Sequence, residues 1–291
     1  MRKKRKLKAL KISDVVIYII VFAVGFTMFY PLYNCVLVSI SPQYVAIRTP
    51  FMLIPTKFDF SAYQYAFKST NVLYGVGVSA LKVIGAGALS MFMNITTAYA
   101  LTKPIPGKKF LYVFVFIPMY FSGGMIPSYL LIKDLGLIDS IWALILPVGI
   151  STATILIFMR YFNALPLELE ESARIDGAND VVILLKIVGP LMKPIFATYF
   201  LYGAVDNWNS WLDGLLYIQT ARKMPIQSIL REIINNATFS ELTLETGRKI
   251  TVYSESIKMA CLVVGMVPIM IFYPLLQKHF VSGITAGAVK G

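Results

Sequence analysis

Histidine and cysteine are almost missing from this 291-residue chain, which has one of the first, His279, and two of the second, Cys35 and Cys261. That scarcity excludes a Cys/His metal centre and a disulfide framework, and no metal site is expected. Both cysteines fall inside apolar runs and read as packing residues. Charge is also scarce, at 14% of residues, and carboxylates are the rarer sign, with 15 against 27 Lys and Arg. No acidic or histidine cluster able to do acid–base work can be assembled, so no catalytic residue is expected and a membrane-embedded enzyme is disfavoured. No G-x4-GK[ST] run occurs either, so the chain lacks that phosphate-cradling loop.

Apolar length is what the chain has. Apolar residues make up 57% of it and its mean hydropathy is +0.69, outside the balance of a water-soluble domain. Stretches of bilayer length, about 20 residues at 1.5 Å rise each, recur six times. They run over 15–40, 72–101, 110–132, 140–159, 194–217 and 259–277. The second contains a single charge, Lys82, read as snorkelling outward along its own stem. The fifth is the least clean, because Asp206 and Asp213 interrupt it. No alternation of barrel type appears, and helices must therefore satisfy the backbone in lipid. The expected fold is all-α, a polytopic membrane protein with six transmembrane helices.

Lys and Arg mark the side retained in the cytoplasm. With the N-terminus inside, the inner segments hold 16 of them and the outer segments 9, so both termini are expected to be cytoplasmic. The net charge of +12 then follows from topology and contact with anionic lipid, and no nucleic-acid partner is needed. The start MRKKRKLK resembles the head of a signal peptide, but the apolar run behind it is too long and has no small-residue cleavage site, so the first span should be kept.

The loop between the fourth and fifth spans is more than a connection. Pro166 suits a first helical turn, and Glu168, Glu170 and Glu171 complement the positive end of a helix dipole. Leu165, Leu169 and Ala173 recur at i, i+4 and i+8 as one apolar stripe. Gly177 can supply the positive φ that stops the helix, and Asn179 or Asp180 can cap a second one. Helix, glycine hinge and helix make a knob suited to a groove on a cytoplasmic partner. An amphipathic helix lying on lipid is the alternative, although an acidic polar face is unfavourable beside anionic headgroups.

The run Glu171, Ser172, Ala173, three residues, Gly177, nine residues, Ile187, one residue, Gly189, Pro190 resembles the EAA signature of ABC importer permeases (EAA, x3, G, x9, I, x, LP). Ser172 replaces the middle Ala and Gly189 the Leu. The triplet Asp176, Gly177, Ala178 is common in the carbohydrate-uptake branch. Residues 118–142, PMYFSGGMIPSYLLIKDLGLIDSIW, and the tail GITAGAVKG at 283–291 look like the maltose-type subfamily that includes the LplC and YtcP permeases. The resemblance implies a type I ABC importer transmembrane domain that imports a carbohydrate, an oligosaccharide in the first instance. It implies a second permease subunit, usually different, two cytoplasmic ATPase subunits and an extracellular solute-binding protein. It places Glu170, Glu171, Ser172, Ala173, Arg174, Asp176, Gly177, Ala178, Ile187 and Pro190 in contact with, or in service of, the ATPase. ATP and Mg belong to that partner, and no cofactor is expected on this chain. The host is expected to be a Gram-positive bacterium, with the chain in its plasma membrane. The chain divides into 1–71 (cytoplasmic N-terminus, first span, outer loop), a core over 72–282 with the coupling loop at 166–194, and the cytoplasmic tail 283–291.

For the substrate path, the cluster DNWNSWLDG at 206–214 stands out. On one helix, Asp206, Asn209 and Asp213 share a face at i, i+3 and i+7, with Trp208 and Trp211 beside it. Carboxylates, amides and rings are the groups that hold sugar hydroxyls and pyranose faces. The tryptophans equally suit an interfacial belt and Asn209 an interhelical bond. Tyr120 and Ser122 lie where Pro118, Gly123, Gly124 and Pro127 weaken the third span, and broken helices often line cavities. Residues 225–234 read as a short amphipathic helix. The competing readings are an ABC permease for another solute and, less well supported, an ion-coupled secondary transporter, which should show more intramembrane carboxylates or a repeated half.

Overall fold

A computed structural model describes residues 12–49, 51–67, 71–242 and 255–271, and every regular element among them is helical. The stretches 243–254 and 272–291, with His279, the tail and part of the sixth expected span, lie outside the described residues, as does MRKKRKLK. The chain forms two compact units. One takes the described residues up to 67 together with 255–264 and the end of a helix from 233; the other takes 71–232 and 265–271.

In the first unit, α1 (Ile12–Ser39) is apolar all round, and no residue of its most apolar stretch is buried. A helix of that kind needs lipid or another subunit around it. Its C-terminal end meets α2 (Gln43–Arg48) over a small cluster of Leu37, Val45 and Met52. Ser39 Oγ and the Tyr63 hydroxyl of α3 (Ser61–Phe67) lie 2.8 Å apart.

The second unit is built on α4 (Asn71–Thr102), which runs unbroken for 32 residues because no proline or acidic residue interrupts it. Small residues let its neighbours approach. A Cβ on Gly87 would stand 2.5 Å from the Phe200 ring and one on Gly85 2.7 Å from Ile145. The third expected span is two helices, α5 (Lys108–Tyr120) and α6 (Met125–Asp134), separated by Phe121–Gly124, where Gly124 sits at φ +88°. The fourth is also broken. A short α7 (Trp142–Ile145) and a 3-10 turn (Leu146–Val148) lead at 48° into α8 (Thr152–Phe162). The backbone freed at that break finds partners: the buried Asn94 amide accepts from Ser151 N at 2.8 Å, and Ser151 Oγ caps the helix by accepting from Thr154 N.

Beyond α9 (Glu168–Ile175), the fifth span begins earlier than expected. A helical turn α10 (Asp180–Ile183), a π-helical turn (Leu184–Val188) and α11 (Gly189–Asn209) form one apolar rod of 30 residues. Among the described residues, three helices are thus long and apolar enough to cross a bilayer unbroken, and the α7–α8 pair makes a fourth if counted as one bent span. Then come α12 (Leu212–Tyr217), a 3-10 turn (Ala221–Lys223), α13 (Ile226–Leu242) and α14 (255–271). The amphipathic helix expected over 225–234 is the start of α13, which buries Ile226, Ile229 and Leu230.

The core gathers where α4, α8 and α10–α11 meet, around Tyr99, Ile155, Phe158, Phe162, Ile183 and Val188. Phe158 stands edge-on to Phe196 and Tyr199 at 5.2 and 5.3 Å. Offset edge contacts of this kind add about 0.5–1.5 kcal/mol each beyond area burial.

Candidate functional site

At the Thr102 end of α4, the loop after α8 folds back on this core. Helix α9 closes in a Schellman motif, and the Asp-Gly-Ala triplet provides its geometry. Asp176 is the C-cap, Gly177 takes φ +82° and donates to Arg174 O at 3.0 Å, and Ala178 N donates to Ala173 O at 2.9 Å. Ala173 is buried and Ala178 packs beside it, the apolar contact that usually accompanies this motif. The Asn179 side chain then caps α10 by accepting from Val182 N at 2.9 Å. Arg174 and Asp180 form an ion pair across the glycine.

Burial divides the loop into two faces. Ala173, with Leu165 and Ala178, holds α9 to the body, and Glu170 is fixed by an ion pair to Lys103. Lys103 also lies over the Tyr99 ring, 4.3 Å from its centroid. Glu168, Glu171, Ser172 and Ile175 fall at i, i+3, i+4 and i+7 and are exposed, Ile175 to 86%. The outward face of α9 thus carries an apolar side chain among carboxylates. Leu169, expected in the buried stripe, is 39% exposed. Ile187 lies within the π-helical turn and Pro190 just past it. Gly189 fits because a Cβ there would stand 2.8 Å from Leu184 O.

The other end of α11 corrects the expected path. The helix stops at Asn209 and Ser210 is extended, with ψ 122°, so Asp213 lies on α12 and does not share a helical face with Asp206 and Asn209. Asp213 instead meets Lys82 at 2.5 Å, and it also accepts from Ser210 Oγ at 2.8 Å and Gly214 N at 2.9 Å. Lys82 does not snorkel. Its side chain is fully buried, because a carboxylate within reach removes the need to carry the charge to water. Trp208 is 9% exposed and its Nε1 donates to Gly265 O at 3.0 Å, a packing role. It also lines an apolar cavity of about 340 Å³ with Val83, Phe200, Ala204 and Pro268, where a sugar hydroxyl would find no partner. Asp206 and Asn209 remain exposed on one face of α11, and Tyr120 and Ser122 are exposed around the α5–α6 break.

Sequence reading missed three features. Lys103 looked like any loop lysine, and no local pattern marks it. The Lys82–Asp213 pair had a signal: opposite charges inside apolar runs are obliged to find each other. The third is Asp139, in the left-handed region at φ +62°. It ties two loops by accepting from Lys223 Nζ, Thr220 N and Thr220 Oγ1 at 2.7–2.8 Å. The Lys223 ammonium and the Thr220 donors hold its carboxyl well below the usual carboxylate range.

Residues 12–286 match the family model described as the binding-protein-dependent transport system inner membrane component. The chain belongs to that family. It is 36% identical over 285 residues to protein LplC of Bacillus subtilis, covering 98% of this chain and 97% of that one. It is 38% identical over 284 residues to the polygalacturonan/rhamnogalacturonan transport system permease YtcP of the same organism, covering 97% and 99%. Among solved structures, a bacterial ABC transporter involved in import of the acidic polysaccharide alginate matches with a TM-score of 0.81 and 28% identity, over 94% of this chain and 100% of that one. This chain is therefore a bacterial membrane permease subunit, not an enzyme, and its family works with a solute-binding protein and an ATPase.

Proposed function

We propose that the chain forms one half of the translocation path of an ATP-driven importer for an oligosaccharide, and that α9 is its coupling helix. One observation carries this reading: an acidic helix, closed by Gly177 at φ +82°, is packed on the core by one face and presents Glu171, Ser172 and Ile175 on the other. The relatives named for arabinooligosaccharide and polygalacturonan/rhamnogalacturonan transport, and the alginate importer, support a carbohydrate cargo. In this reading both termini and α9 are cytoplasmic, the Asn71 end of α4 is extracellular, and the core over 72–282 pairs with a second, different permease. Mg-ATP is hydrolysed in two partner ATPase subunits. Their closure brings the two coupling helices together and biases the spans toward the outward-facing state, which must bind the closed motor better than the inward-facing one does. Gram-positive relatives support a Gram-positive host. Asp206, Asn209, Tyr120 and Ser122 are the exposed candidates for the path.

The test is to purify the chain with its ATPase and binding protein and measure substrate-stimulated hydrolysis and uptake. Gly177→Pro cannot adopt the positive φ, and Glu171→Lys reverses the charge offered to the motor. Both are expected to abolish stimulated hydrolysis while the complex still assembles in the membrane. Wild-type uptake in either variant would remove α9 from the coupling role.

A further inference from the structure

Beyond α11 the chain turns back and is fastened. Ser210 is extended, and α12 lies against α4 through the Lys82–Asp213 pair. The start of α13 is fixed there too, since Ile226 N donates to Ser79 Oγ at 2.9 Å. Ser228, fully buried, donates to Trp211 O at 2.7 Å. Gly214 is needed beneath it, because a Cβ at that position would stand 2.1 Å from Ser228 Oγ. One turn on from Ser228, at i+3, Arg231 lies on the same side of α13, and its guanidinium sits over the Trp211 ring, 5.0 Å from the centroid. The ring is 39% exposed and Arg231 is exposed, so the pair is held from beneath and open above.

The charges around it are unevenly committed. Asp213 is matched by Lys82 and by two further donors, and Asp139 by Lys223 and Thr220. Arg231 has no carboxylate partner among the described residues, so the fork of guanidinium N–H groups beside the indole is not matched by a fixed anion there. A second arginine repeats the arrangement, with Arg222 over the Tyr74 ring at 5.5 Å. A flat apolar ring beside a fixed fork of donors suits a planar anion attached to a ring-shaped body. We infer that Trp211 and Arg231 form a subsite for a uronic-acid residue of the cargo, with the C6 carboxylate on the guanidinium and the pyranose against the part of the indole that the arginine leaves exposed. Asn209 and Asp206, exposed on the preceding turn of α11, are placed to take hydroxyls of the neighbouring sugar. This deepens the oligosaccharide reading and rests on it: the substrate class becomes acidic oligosaccharides.

The experiment uses the importer assembled with its partner chains in nanodiscs of phosphatidylcholine, without binding protein, so that only the permease is read. Equilibrium dialysis compares trigalacturonate with galactotriose, which has similar hydroxyls and no carboxylate. A charged hydrogen bond on this scale predicts a preference for the acid of about tenfold or more. Arg231→Gln is expected to remove it, Arg231→Lys to restore part of it, and Trp211→Ala to weaken both sugars. Equal binding of the two sugars by wild type, or a preference unchanged in Arg231→Gln and Arg231→Lys, overturns the subsite. So does an effect of Arg231→Gln confined to retention of added phosphatidylglycerol, which would make the pair a headgroup anchor. Assembly yield on size exclusion checks folding, and should Arg231→Gln fail to assemble, Arg231→Lys and Trp211→Phe carry the comparison. Coupled uptake separates the two levels: uptake of galactotriose without an acid preference sinks the subsite alone, whereas failure to take up any oligosaccharide sinks the parent reading.

Discussion

The Lys82–Asp213 pair makes an asymmetric prediction. Asp213→Asn leaves an ammonium with no exposed surface facing a neutral amide. Stranding one member of a buried pair costs about 3–5 kcal/mol. Lys82→Met strands less. The carboxylate that remains is 21% exposed and keeps its bonds from Ser210 Oγ and Gly214 N, so the loss is nearer to that of one charged hydrogen bond, about 1.5–3 kcal/mol. Removing both charges with Lys82→Met/Asp213→Asn should recover much of the loss, because no uncompensated charge is left, giving a coupling energy of about 3 kcal/mol or more. The assay is unfolding of the purified, detergent-solubilised importer in graded SDS, read for the two single variants and the double. Equal single losses that simply add in the double variant would refute the reasoning, since they would mean that the two groups do not face each other in a dry site.

Two further outcomes are expected at the ends of α4. Lys103→Ala should lower substrate-stimulated ATP hydrolysis severalfold by freeing Glu170 and hence one anchor of α9, and Lys103→Glu/Glu170→Lys should restore a large part of it; a double variant as inactive as the singles counts against a direct strut. Asp139 has a folded-state pKa depressed below its unfolded value by Lys223 and Thr220, so its contribution to the loop is fully present above the unfolded pKa of about 4 and is lost only as pH falls through the lower folded value. Proteolytic nicking of residues 218–224 should therefore be flat between pH 5 and 8 in the wild type and rise in Asp139→Asn at all these values, whereas a wild-type loop that opens between pH 6 and 5 excludes this assignment.

Legibility in the sequence followed the range of the physics involved. The hinge was readable because a Schellman closure is local: Ala173, Asp176, Gly177, Ala178 and Asn179 lie within seven positions, and each residue's own chemistry favours its place. Unbroken spans were readable for the same reason, since α1 and α4 carry their signal in composition alone. The breaks were harder. Prolines and paired glycines pointed to the α5–α6 interruption, but the bend before α8 depends on Asn94, 57 positions from the backbone N–H it satisfies. The end of α11 was misjudged because 206–214 keeps a helical spacing of polar residues. What stops the helix there is tertiary: Asp213 meets Lys82 at a sequence distance of 131, and Ser228 meets Trp211 O across 17 positions. Periodicity describes a face only while the helix continues, and no pattern within the cluster shows that it does not.

The fold also bears on how a push on α9 reaches the cargo. From Asp180 to Asn209 the chain is one rod, about 45 Å long at 1.5 Å per residue, so its two ends cannot move independently unless something inside it bends. Its irregularities are the π-helical turn 184–188, followed at once by Gly189, which gives the Leu184 carbonyl room, and by Pro190, which has no N–H to donate, and then Pro194 inside α11. The π-helical turn lies about two to three turns from the Gly177 hinge and about five to six turns from Asp206. These weak points all lie in the half of the rod nearer α9, and the stretch from Ile195 to Asn209 has neither a proline nor a π turn to bend it. At its far end, Ser210 breaks the helix, and beyond it the Lys82–Asp213 pair fastens α12 to α4. In the proposed function, tilting α11 against that fixed end changes the space beside Asp206, Asn209 and Trp211, so that a single rod joins the proposed coupling surface to the candidate residues of the path.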